Sequence, residues 1–283
     1  MPLNLTLKPA QVELISLPGS SVTQAYNIIN NSDTTIVLYS NVLPFAPVDN
    51  NGSVTYENVT PSSQVHFSLA NADLQLGQTF TLKPNENRQL VLKIQSDQNT
   101  PLKDFYFTFF VNQNIGNDNA NEFSASAATA RVGSHILLST SKVENTNSTF
   151  TVSRFNVSPK FKDILYPQLT FKAEVNNQSN YYNKIVGKLT ISKNDLLIKE
   201  FELYPSNVLA HSSREIQCLS NNEPTPCSIT PPFWPGQYKA VITLDSALST
   251  KPVSISFFIF PYSFLFIALV VTAILLIIFR KKQ

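Results

Sequence analysis

The feature that most constrains this chain lies at its far end. From Tyr262 to Phe279 the sequence reads YSFLFIALVVTAILLIIF, 18 residues without a charge, and counting from Phe257 lengthens the apolar run to 23. At about 1.5 Å of rise per residue, roughly 20 such residues cross the ~30 Å hydrocarbon core of a bilayer, and helices buried in soluble domains are seldom so long and unbroken. The run predicts one transmembrane helix over 261–279. Arg280, Lys281 and Lys282 follow at once and flank the anchor, and the positive-inside rule places this basic tail, 280–283, in the cytoplasm. Everything before the helix is then expected outside, with the lipid bilayer as a partner and the cell membrane, crossed once, as the location. That orientation calls for an N-terminal signal peptide, yet MPLNLTLKPAQVEL reads as a first β-strand. The expectation is therefore a sequence that begins after its signal; a tail-anchored cytoplasmic protein is the alternative, with the sides inverted.

Helical periodicity is absent before residue 260, and period-two alternation takes its place. Leu169, Phe171, Ala173 and Val175 alternate with Thr170, Lys172 and Glu174, and Tyr238, Ala240, Ile242 and Leu244 alternate with Lys239, Val241 and Thr243. Such runs are half-buried strands. Further strands are expected at 3–7, 12–17, 22–29, 35–42, 65–69, 79–82, 89–95 and 105–111, punctuated by Pro18-Gly19, Asn30-Asn31-Ser32-Asp33, Asn50-Asn51-Gly52 and Pro84-Asn85. A second set follows at 130–140, 150–157, 169–175, 188–192, 196–203, 214–218, 237–244 and 253–260. Two sets of seven or eight strands in 283 residues predict an all-β fold of two sandwiches in tandem, 1–130 and 131–260, followed by the helix. The polar stretch NQNIGNDNAN, 112–121, reads as a hairpin loop whose return strand closes the first sandwich.

Composition narrows the function. Twenty-one basic against 19 acidic residues leave a net charge of +2, too weak a field to recruit nucleic acid. The sequence contains no HExxH, GxSxG, Walker-type loop, GxGxxG or CxxC. His66, His135 and His211 are scattered without a spaced partner, so each reads as structural, and no cofactor or metal is implied. Asp118 is the sole carboxylate in the Asn-rich loop, which falls short of a calcium site. The chain is expected not to be an enzyme. Cys218 and Cys227, nine positions apart among Asn and Pro residues, read as a disulfide stapling a loop in an oxidising compartment, with two free thiols as the alternative. Trp234, in PPFWPGQY, reads as a turn packed on a sandwich end, or as an exposed platform for a sugar or protein ligand. Asn-x-Ser/Thr triplets occur at Asn4, Asn30, Asn51, Asn58, Asn147, Asn156 and Asn177, as an Asn- and Ser-rich chain produces by chance.

PGSSVTQAYNIINNSDTTIVLYSNV, NNGSVTYENV, FTLKPNENRQLVLKIQ and DFYFTFFVNQN, in that order, resemble the peptidoglycan-binding Ig-like domain of bacterial WxL-interacting surface proteins. ARVGSHILLSTS, DILYPQLTFKAEVNNQSN, WPGQYKAVITL and the apolar end are similar to their partner domain and anchor. The resemblance implies two Ig-like sandwiches on a membrane-anchored bacterial cell-surface scaffold, the first touching peptidoglycan and the second a surface protein. Two alternatives stand beside it: a membrane-tethered carbohydrate-active enzyme using paired carboxylates, and a chaperone-like binder offering a strand edge to secreted proteins.

Overall fold

The computed structural model describes residues 4–57, 59, 60, 62–113, 130–141, 149–159, 163, 168–230, 235–245 and 251–281, the side chains of 278, 279 and 281 excepted. The chain divides into two units, Met1–Val48 with Ser53–Asn145, and Asp49–Gly52 with Thr146–Gln283.

The first unit contains β1 (Leu5–Lys8), β2 (Gln11–Ser16), β3 (Ser21–Asn30), β4 (Ile36–Pro44), β5 (Ala46–Pro47), β6 (Val54–Thr55), β7 (Val65–Leu69), β8 (Thr79–Leu82), β9 (Asn87–Ser96), β10 (Asp104–Gln113) and β11 (Arg131–Thr140). Two sheets, ordered β1-β3-β9-β7 and β2-β11-β10-β4-β8, carry its core. Alternation decides which side chains enter it. Tyr26 and Ile28 on β3 and Leu90, Leu92 and Ile94 on β9 are buried from one sheet, and Leu38, Phe107, Phe109, Ile136 and Leu138 from the other. Each large apolar side chain so placed contributes about 1.5–3 kcal/mol.

The opening segment joins both sheets. β1 pairs antiparallel with β3, and after Pro9 and Ala10 the chain continues as β2, which pairs parallel with β11. Pro9 has no amide hydrogen to give to a ladder, so it suits the point where one ladder ends and another begins.

The sequence placed the strand 130–140 at the head of the second sandwich. The structure places it instead between β2 and β10, in nine antiparallel pairs from Asp104↔Ser139 to Asn112↔Arg131. The apolar stretch FYFTFFV needs a neighbour that is apolar on the same face, and Val132, Ile136 and Leu138 supply it. The boundary between units accordingly falls after Asn145 rather than after residue 130.

The second unit contains β12 (Phe150–Ser158), β13 (Leu169–Asn177), β14 (Asn183–Lys184), β15 (Gly187–Lys193), β16 (Leu196–Glu202), β17 (Asn207–Val208), β18 (Ser213–Glu215), β19 (Cys218–Ser220), β20 (Glu223–Thr225), β21 (Cys227–Ile229), β22 (Gly236–Leu244) and β23 (Val253–Ile259). One sheet runs β12-β13-β18, with β21 also on β13, and the other runs β16-β15-β22-β23. Leu169, Phe171, Ala173 and Val175 face Leu189, Ile191, Tyr238, Ala240 and Ile242 in the core. Cys218 and Cys227 form a disulfide, and both are buried in that core.

The two units share a corner device. At the end of β3, Asn30 is fully buried; its Nδ2 donates to the carbonyls of Thr34, Leu82 and Lys83, and its Oδ1 accepts from the Ser32 amide and hydroxyl. At the end of β13, Asn177 repeats the pattern, donating to Tyr181, Val208 and Leu209 and accepting from the Ser179 amide and hydroxyl. Both belong to Asn-x-Ser triplets of the sequence, which here serve to satisfy buried carbonyls at a sheet corner.

The helix α1 (Tyr262–Lys281) closes the described chain. Asp163 holds its start, its carboxylate accepting from the Ser263 amide and hydroxyl at 2.6 Å each, where a negative charge also suits the helix dipole. The expected transmembrane helix is corrected here: among the described residues no helix is long and apolar enough to cross a membrane. The single-pass membrane location and the lipid bilayer as partner rested on that span and fall with it.

Candidate functional site

The residues singled out in the sequence do not converge. Trp234 lies outside the described residues, as do Lys282 and the side chain of Lys281, and Arg280 is exposed at the end of α1. The disulfide lies in the second unit's core. His66 Nε2 meets Asp97 Oδ1 at 3.1 Å, and His211 Nε2 meets Asn180 Oδ1 at 2.9 Å, on separate units. Among the described residues no group of three or more His, Cys, Asp and Glu side chains could hold a metal ion. A recess of about 340 Å³ opens at the start of β10, where the buried Asp104 accepts from the hydroxyls of Ser139 and Tyr106. Its carboxylate is thereby turned toward its own sheet.

A sheet edge offers more. The ladder between β10 and β11 is flanked by hydrogen bonds from Gln113 N to Ala130 O and from Thr140 N to Lys103 O. By the two-residue period, the amides of Val132, Ser134 and Ile136 also point toward β10. Those of Arg131, Gly133 and His135 point to the opposite side. His135 uses that side, donating to Ala10 O, and the parallel register with β2 starts there, at His135↔Gln11. Among the described residues no strand pairs with that side of Arg131–Ser134. Among the described residues the first four positions of β11 are thus an open edge, because the opening segment stays with the other sheet until Lys8 and reaches β11 only after Pro9 and Ala10.

The outer face behind this edge is an aromatic shelf. Phe45 lies 4.9 Å from the His135 ring and 5.7 Å from Tyr106, and Tyr56 packs edge-on against Phe110 at 5.1 Å. Thr108 Oγ1 bonds His135 Nδ1 at 2.9 Å, and burial holds that imidazole below its ordinary value. Gly133 stands directly across from Phe110, and a Cβ there would come within 2.8 Å of the Phe110 ring and of Thr108 Cγ2. The glycine is required by this close approach, the ring filling the place of its missing side chain. The Arg131 guanidinium lies over Phe110, 4.3 Å from the ring centroid, and 5.3 Å from that of Tyr56.

On the inner face Ser134 is fully buried, close to Tyr26, which stacks on Phe109 at 4.8 Å. Burial pushes the Tyr26 phenol up to about 12, Ser134 pulling weakly the other way, and neither oxygen has a hydrogen bond of good geometry among the described residues. Sequence reasoning passed over Arg131, Gly133 and Ser134. The signal that could have found them is the glycine inside the alternating run ARVGSHILL, since a glycine in a strand marks a close approach.

No family model matches the sequence, and no curated protein matches it. Among solved structures the chain is similar to the class 5 fimbriae chaperone CfaA, at 10% identity over 91% of this chain and 100% of that one, with a TM-score of 0.42. It is similar to the E. coli chaperone DraB at 13% identity (90% and 97% covered, TM-score 0.39) and to the Pseudomonas aeruginosa CupB2 chaperone at 12% (89% and 98%, TM-score 0.35). These TM-scores are too low to decide a ligand or a mechanism. The expectation of a membrane-anchored cell-surface scaffold on peptidoglycan is nevertheless corrected. No helix among the described residues is long and apolar enough to carry the anchor.

Proposed function

We propose that this chain is a chaperone-like strand-edge binder, taking up an extended segment of another protein along the open half of β11. The observation that carries the reading is the set of outward amides on Arg131 and Gly133 that no strand pairs among the described residues. Strand addition of this kind draws affinity from main-chain hydrogen bonds and selectivity from alternate side chains, and it needs no reacting group. Binding rather than catalysis is therefore the proposed activity. The disulfide between Cys218 and Cys227 suits an oxidising compartment, where the client would also reside.

The test uses an uncharged 11-residue peptide of alternating Val and Thr, capped at both ends, titrated against the full chain by fluorescence anisotropy. Arg131→Pro deletes an outward amide hydrogen and is expected to weaken binding about tenfold, while Arg131→Ala keeps the hydrogen and the affinity. Hydrogen exchange at Arg131 and Gly133 should slow on binding. Equal affinity in the two variants, with exchange unchanged, overturns the reading.

A further inference from the structure

We infer that Arg131 selects the client, requiring a carboxylate side chain at the position that lies directly across from it on the outer face of the extended sheet. The inference rests on the strand-edge reading and adds the chemistry of the segment. Arg131 is exposed at the first position of β11, on the same face as Gly133 and His135. Its guanidinium lies over Phe110 and Tyr56, and no carboxylate of the described residues pairs with it. Those rings hold the cation beside the backbone that no described strand pairs, so less side-chain freedom is lost when an anion arrives.

The next outer-face position, Gly133, has no side chain, so nothing from β11 itself stands between Arg131 and an incoming strand. In an added strand, residues facing Arg131 and Gly133 share the outer face, and those facing Val132 and Ser134 share the inner one. Val132 packs against the apolar core and Ser134 is buried. The matching segment therefore alternates apolar residues inward with an acidic residue outward. The acid meant is an internal side chain, so a client's terminal carboxylate is not required.

The experiment titrates the full chain with the capped Val/Thr peptide bearing Glu, Gln or Lys at one outward position, the position being scanned along the peptide. At one register the Glu peptide should bind about three- to fivefold more tightly than the Gln peptide, with the Lys peptide weakest. The preference should shrink in about 0.5 M salt as the charges are screened. Arg131→Glu should invert the order of the Glu and Lys peptides, and Arg131→Gln should level the Glu and Gln peptides. If the peptides bind, with Arg131→Pro weakening them, but show equal affinity at every register, the carboxylate inference is overturned while strand capture stands. If none of them binds the wild-type chain, strand capture fails and the inference fails with it.

Discussion

The two units are tied at the same corner and part company at their edges. Asn30 and Asn177 make the same five hydrogen bonds at the end of equivalent strands. Yet among the described residues the first unit leaves Arg131–Ser134 open and carries a glycine there, whereas the second unit's edge strand β16 carries Lys199, Glu200 and Glu202. Lys188 and Glu200 are paired at 2.8 Å beside that edge. Charges on an edge discourage a second strand from adding to it, even though Leu196 and Leu197 near the hairpin tip are exposed. A shared framework can thus hold one edge ready for a client and keep another closed, and a handful of side chains makes the difference.

The largest effect should come from the corners themselves. Asn30→Ala and Asn177→Ala each strand several buried carbonyls, and each is expected to cost about 3–4 kcal/mol in its own unit. Hydrogen exchange, which reads the units separately, checks this; a loss confined to one of the two variants would break the equivalence of the corners. Next comes the staple that the first unit lacks. Cys218→Ser with Cys227→Ser opens a loop of sequence separation 9, and by the chain-entropy argument the second unit should lose roughly 2–3 kcal/mol. Denaturant unfolding of that double variant should match the wild-type chain under reduction.

The smallest effect is a pH dependence centred on the open edge. Burial lowers the His135 pKa from its ordinary 6.5, so the unfolded chain takes up the proton before the folded one does as pH falls. The neutral ring's contribution is complete above about 6.5 and is lost as pH drops from there toward the lowered folded value. Protection of the β10 and β11 amides, taken relative to their intrinsic exchange rates, should therefore fall in mild acid. His135→Gln should remove that part of the slope, and an unchanged slope in the variant would assign the acid sensitivity elsewhere.

Much of the fold was legible because β-structure writes its faces locally. Alternation located β13 and β22 and named the side chains they bury, and an even cysteine pair in a loop pointed to the bond that forms. The buried triplets at Asn30 and Asn177 were visible but unreadable, since an Asn-x-Ser sequence is the same whether its amide faces solvent or a ring of carbonyls. The apolar run after Pro261 was equally plain, and its composition led to a membrane span that the described helix does not provide.

The sequence by itself determined where strands run and which face of each is apolar, because both follow from the two-residue repeat of a pleated chain. Only the tertiary structure decided which strands are neighbours. That β2 would lie parallel to β11, and would reach no further than His135, depends on a pairing between residues more than a hundred positions apart, which no local pattern encodes. The amides of Arg131 and Gly133, which no described strand pairs, are what that pairing leaves over.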